Sequence, residues 1–248
     1  EPCFVSYAPE IIMAYGVPRA VPTSPENGFR LTGAMLRKHA TPKTKALLIN
    51  FPTNPTGATL TAAGAREIAA FVRERDLILI TDEIYSELTY SGERASVAAE
   101  PGMKERTIFL HGFSKGWAMT GFRLGYACAP PDLSEAMMKI HQYTMLCAPV
   151  MGQIGAVEAL RSAEEDKNNM VNEYRLRRNL FVAGLNRIGL SCHVPEGAFY
   201  AFPSVKTTGL SDVEFAEQLL KKQRVAVVPG SVFGVGGEDH IRCAYAVS

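Results

Sequence analysis

Short apolar runs without alternation recur in the first half of the chain, at Lys45–Ile49, Leu77–Ile80 and Thr107–Leu110. Strands covered on both faces read this way. Between the first two runs, Thr61–Asp76 sets Ala65, Ile68, Ala69 and Val72 at i, i+3, i+4 and i+7, the spacing of one helix face. Strand, helix and strand in this order predict βαβ units and a mainly parallel sheet sandwiched by helices, an α/β fold. A further strand is predicted over Leu124–Cys128, then helices over Ser134–Tyr143 and Val150–Ser162. The methionines Met137, Met138, Met145 and Met151 are read as helix packing. A long charged helix, Glu164–Ile188, presents Tyr174, Phe181, Leu185 and Ile188 on one stripe and is long enough to connect two domains.

Both ends of the chain differ from this pattern. Residues 1–30 carry Pro2, Pro9, Pro18, Pro22 and Pro25 and predict extended pieces and turns, with a strand near Ala14–Val21. A short amphipathic helix is expected over Leu31–His39. Toward the other end, Gly197–Phe202 alternates as a strand, and Ser211-x-x-Glu214 is a capping box opening a helix to Lys222. Strands are expected at Val225–Val228 and His240–Tyr245. The expected organisation is a large α/β domain over 1–163, then a connector helix and a smaller α+β domain over 164–248.

Composition narrows the function classes. With 47% apolar and 21% charged residues, the chain can build an ordinary core. A formal charge of +1, with Lys and Arg scattered, argues against a nucleic-acid surface. No apolar run approaches a membrane span. Cys3, Cys128, Cys147, Cys192 and Cys243 are odd in number and form no C-x-x-C pair. They read as reduced thiols, mostly core filler, in a cytoplasmic protein. The five histidines are dispersed, so no metal site is expected.

The candidate chemistry lies where the apolar runs end. Asn54 follows the first, Asp82 the second, and Ser114-Lys115 the third. In open α/β sheets ligands sit beyond the carboxyl ends of the strands. Pooled there, these residues supply an amide donor, a carboxylate, a hydroxyl and an amine. Thr120 and Arg123 add phosphate donors. An amine beside a phosphate site, with an acid for a ring nitrogen, is what pyridoxal 5′-phosphate (PLP) needs. Plainer roles compete: Asp82 as a turn cap, Tyr85 as a packed aromatic, Asn54 as a turn residue, Arg242 as a surface ion-pair partner. His111 reads better as structural than as a general base. The Gly230–Gly237 stretch has no nucleotide-loop motif.

Asn54-Pro55-Thr56-Gly57, Asp82-Glu83-Ile84-Tyr85, Ser114-Lys115 with Gly121-x-Arg123-x-Gly125, and His240-Ile241-Arg242 occur in order. This series resembles the motifs of class I/II aminotransferases, fold-type I PLP enzymes with a seven-stranded-type sheet, the aspartate and aromatic branch being most similar. The resemblance implies transfer of an amino group from an L-amino acid (aspartate, aromatic or alanine-like) to a 2-oxo acid. It implies that Lys115 forms the aldimine and shuttles the proton, and that Asp82 keeps the pyridine nitrogen protonated. Asn54 and Tyr85 would bond the ring hydroxyl, Ser114 and Arg123 the phosphate, and Arg242 the substrate carboxylate, with Asn54 also on the substrate side. Phe233 would line the substrate pocket. A homodimer is implied as well.

Family members often carry a phosphate-binding serine where Gly112 stands. Their chains also begin well before the segment matching Glu1 and continue past Arg242. The chain is therefore expected to be truncated at both ends and, alone, to bind PLP weakly or not at all. Two other readings share the motifs: a PLP-dependent C–S β-lyase, and an aminotransferase-like domain of a transcription regulator.

Overall fold

The computed structural model describes residues 1–90 and 94–246. In chain order the elements are α1 (Tyr7–Met13), α2 (Gly33–His39), β1 (Ala46–Asn50), α3 (Ala62–Glu74), β2 (Ile78–Asp82), β3 (Thr107–Gly112) and α4 (Phe113–Gly116). Then come β4 (Gly125–Cys128), α5 (Pro131–Thr144), α6 (Val150–Ser162), α7 (Glu164–Arg187), β5 (Tyr200–Ala201), α8 (Asp212–Gln223), β6 (Val228–Pro229) and β7 (Ile241–Ala244). Two compact units form. One comprises Thr32–Pro52 and Leu60–Asn172, the other Glu1–Leu31, Thr53–Thr59 and Glu173–Ser248.

The first unit holds a four-stranded sheet in the order β1-β2-β3-β4. The β1–β2 and β2–β3 pairs are parallel and β4 runs antiparallel to β3. This is the mainly parallel α/β arrangement that the apolar runs predict, with four strands among the described residues where the family resemblance implies a seven-stranded type. Helix α3 connects two parallel strands. Thr61 caps it, its hydroxyl accepting from the Gly64 N–H at 3.1 Å. Its buried face carries Ala65, Ile68, Ala69 and Val72, with Phe71 beside them. Leu77, Leu79, Leu88, Val97 and Met103 are also fully buried in this unit. Each such side chain stabilises the unit by roughly 1.5–3 kcal/mol relative to exposure.

The second unit holds a three-stranded antiparallel sheet, β5-β7-β6. Phe202 lies at its core, stacked on His240 with centroids 5.0 Å apart and touched at its edges by Phe29 and Phe233. The capping box of α8 is complete: Ser211 Oγ accepts from the Glu214 N–H, and Glu214 accepts from the Ser211 N–H.

Several expectations are corrected. Residues 14–21 form no strand, and residues 7–13, expected to be extended, form α1. Pro9 does not prevent this, because it sits in the first turn, where its missing N–H has no helical partner to lose. The α7 stripe is shifted: Val182 and Leu185 are buried while Ile188 is 69% exposed. Met138, Met145 and Met151 are exposed rather than packed. Of the free cysteines only Cys192 and Cys243 are buried, and burial pushes their thiols up to about 11 and about 12. No described helix is long and apolar enough to cross a membrane.

Candidate active site

Parallel strands in register bring their carboxyl ends to one sheet edge, and that edge carries the first set of candidate residues. Asn50 pairs with Asp82, and Asp82 with Leu110 on the next strand. The buried Asn50 donates its side-chain N–H to the Asp82 carbonyl at 2.8 Å. The Asp82 carboxylate accepts from the Ile84 N–H at 3.0 Å, the turn-capping bond that sequence reasoning weighed against a chemical role. Two residues past Leu110, β3 passes straight into α4, the single turn bearing Ser114 and Lys115. Lys115 is half-buried, and Tyr85 is buried at the start of the turn after β2.

A side chain at position 112 would be crowded: a Cβ there would meet the Gly125 Cα and the Leu124 carbonyl oxygen at 3.0 Å each, so a neighbour would have to shift by a few tenths of an ångström. Arg123 adopts a left-handed backbone (φ 53°), and its Nη1 donates to the Thr120 carbonyl at 2.9 Å. Its side chain stays exposed, with donors to spare. Below α4, Phe113 and Met119 pack with Ala156 of α6, and Trp117 and Leu124 lie against them.

His111 follows Leu110 near the end of β3 and is buried. It is stacked on Phe109 and Tyr126, and its Nε2 meets the Ser86 hydroxyl at 2.9 Å. Its Nδ1 accepts from the Gly112 N–H, and burial lowers its pKa. These contacts describe a structural histidine.

Glu83 was not singled out from the sequence, yet it is buried. One carboxylate oxygen accepts from Thr81 Oγ1 at 3.1 Å and Ser96 Oγ at 2.6 Å. Burial pushes its pKa above the usual 4.5; Asp82 adds to the rise and the two hydroxyls oppose it. The folded carboxyl thus holds its proton to higher pH than the unfolded one. Stability falls as pH rises from about 4.5 through the raised value, then levels off. Glu83→Gln keeps an oxygen for both hydroxyls and removes that loss. Its urea midpoint is expected to match or exceed wild type at about pH 7.5 and to gain nothing at about pH 4. A deficit confined to the higher pH would contradict this.

The other unit carries Asn54 and Arg242. Arg242, on β7, is held between two rings, its guanidinium carbon 4.5 Å from the Tyr200 centroid and 5.0 Å from that of Phe233. Its Nη1 donates to Asn54 Oδ1 at 3.0 Å. Arg242 is therefore no surface ion pair. Sequence reasoning missed Tyr200, whose neighbour Phe199 gave an equally aromatic signal.

The loop presenting the buried Asn54 is pinned by Gly57, whose carbonyl accepts from the Glu196 and Gly197 N–H groups at 2.9 Å each. Gly57 has φ +70°, and a Cβ there would strike Pro195 Cβ and come within 2.8 Å of the Gly197 carbonyl oxygen. Gly57→Ala is expected to cost about 2–4 kcal/mol, strain and overpacking combined. A loss below about 1 kcal/mol in urea denaturation would show that the loop yields.

The sequence pattern of the family described as "Aminotransferase class I and II" matches residues 1–248. The chain belongs to the class I and II aminotransferases. Within this family it is similar to YugH of Bacillus subtilis, whose aminotransferase name is provisional, at 55% identity over the whole chain. It is 48% identical, again over its whole length, to an aspartate aminotransferase of Pyrococcus abyssi. The solved aromatic aminotransferase of Pyrococcus horikoshii OT3 superposes with a TM-score of 0.97 at 47% identity, covering all of this chain and 67% of that one. The chain spans about 64% of the length of the two curated relatives.

Proposed function

We propose that the protein is a PLP-dependent aminotransferase, moving an amino group from an L-amino acid to a 2-oxo acid. The observation that supports this reading is the pairing of Asp82 with Leu110 on neighbouring parallel strands, with Lys115 following in α4, five residues beyond Leu110. That donor set fits PLP: an amine for its aldehyde, an acid for its ring nitrogen, and Ser114 and Arg123 as donors for its phosphate. Gly112 has no side chain, so the position where a serine often adds one more phosphate contact supplies none here.

When bound, PLP supplies an electron-accepting ring that makes an amino acid Cα–H acidic. The chain's residues do the rest. The Lys115 Nζ would hold the cofactor and, when free, would carry the proton away from the substrate Cα. The Asp82 carboxylate would keep a proton on the ring nitrogen. Tyr85 and Asn54 would donate to the ring hydroxyl. Arg242 would grip the α-carboxylate, its guanidinium lying over the Tyr200 and Phe233 rings.

The related names include both aspartate and aromatic aminotransferases, so the proposed donors are aspartate-like, aromatic or alanine-like amino acids. The same reading includes a cytoplasmic homodimer, and a large domain over 1–163 followed by a small one over 164–248. The test is incubation of the full-length protein and PLP with single amino acids, with and without a 2-oxo acid acceptor. Product 2-oxo acid that requires the acceptor is expected. Pyruvate and ammonia released from a sulfur amino acid without acceptor would instead identify a β-lyase. Inactivity with every donor would overturn both.

A further inference from the structure

Lys167, near the start of α7, is a lysine out of place. Its side chain is only 6% exposed, on a helix otherwise rich in solvated charge. Its Nζ donates to Glu87 Oε2 at 2.6 Å and to Glu164 Oε2 at 2.8 Å. It also lies 5.3 Å from the Trp117 ring centroid, within cation–π range. Burial alone would lower its pKa, but the two carboxylates prevail and raise it, so the ammonium stays charged.

The partners of this ammonium flank the residue after Lys115. Trp117 directly follows α4. Glu87 packs against Gly116: a Cβ there would lie 2.8 Å from Glu87 Cβ and 3.0 Å from its Cγ. Glu87 is also tied to Arg94 at 2.9 Å. The turn bearing Lys115 is thus bounded by Glu87 at Gly116 and by the Lys167 ammonium at Trp117. A buried ion pair is weak evidence for stability, because a well-packed apolar side chain often does as well. What the ammonium adds is direction, fixing one carboxylate and one ring face at once.

We infer that Lys167 is a positioning residue that, through Glu87 and Trp117, holds the turn presenting Lys115. The functional meaning of this clamp rests on the reading of Lys115 as the cofactor-bearing lysine; the clamp itself can be tested without PLP or substrate.

Trp117 is the only tryptophan of residues 1–248, and its emission in the full-length protein is read as the difference from a Trp117→Phe background. Lys115 reactivity can be read by competitive labelling of all lysines with acetic anhydride, followed by peptide mass mapping of the full-length, PLP-free protein. Lys167→Met keeps the stem and removes the ammonium. Glu87→Gln keeps the shape, weakens the tie, and serves if the first variant does not fold. Both are expected to shift Trp117 emission and to raise Lys115 labelling at least threefold relative to the other lysines, as the loosened turn exposes the amine. Lys167→Arg is expected to restore both readouts. Emission that shifts while Lys115 labelling stays unchanged would overturn the inference, since the pair would then serve the tryptophan alone. Emission that does not shift would overturn it as well. If labelling rises but the wild type transfers no amino group, the clamp stands and the aminotransferase reading falls.

Discussion

Lys115→Ala should abolish amino transfer, lowering kcat by at least about 10⁴-fold, because no other group replaces an amine that both holds the cofactor and carries the Cα proton. Lys115→Arg should fare no better, since a guanidinium stays protonated at working pH and cannot serve as the base. The fold is expected to survive either change. Lys115 is half-buried in a four-residue turn, and the packing beneath that turn comes from Phe113 and Met119. Single-turnover release of 2-oxo acid from stoichiometric full-length protein, beside a melting curve, checks both halves. Residual turnover within tenfold of wild type would remove Lys115 from the chemistry.

Arg242→Lys should lower kcat/KM about 10²–10³-fold, roughly 3–4 kcal/mol of lost transition-state stabilisation. The lysine keeps the charge but loses the plane that sits between Tyr200 and Phe233 and the fixed fork that bonds Asn54. With its face sandwiched and one N–H committed to Asn54, the guanidinium is pre-oriented for a two-pronged grip, so little order remains to be imposed when a carboxylate arrives. The control is an amine donor without an α-carboxylate. If Arg242 binds that carboxylate, Arg242→Lys leaves the slow reaction of such a donor unchanged. An equal loss with both kinds of donor would mean that Arg242 only braces the β5–β7 sheet.

Much of this was legible because local rules and tertiary context agree. The spacing from Ala65 to Val72 is the face that α3 buries, whereas the run Leu77–Ile80, read as a strand covered on both faces, is fully buried on one face of β2 only (Leu79, Thr81) and half-buried on the other (Ile78, Ile80). Ser211 and Glu214 signalled the start of α8 by a reciprocal pair that needs nothing beyond the helix. Proline misled at α1, where composition outweighed position. At the candidate site, Asp82 and Ser114-Lys115 could be read because strand ends collect chemistry in an open sheet. Tyr200, Glu83 and Lys167 could not: their surroundings come from residues up to 80 positions away, as between Lys167 and Glu87, and their neighbours in sequence look the same. Lys167 in particular lies among Glu, Asp and Asn, where a solvated lysine is the ordinary case.

The central claim is that Lys115 is the cofactor-bearing amine of an aminotransferase, and borohydride reduction of the full-length protein at saturating PLP, followed by peptide mass mapping, tests it most directly. The account predicts a reduced pyridoxyl adduct confined to the peptide carrying Lys115 and lost in Lys115→Ala. Adduct spread over several lysines, or none at all, would contradict it.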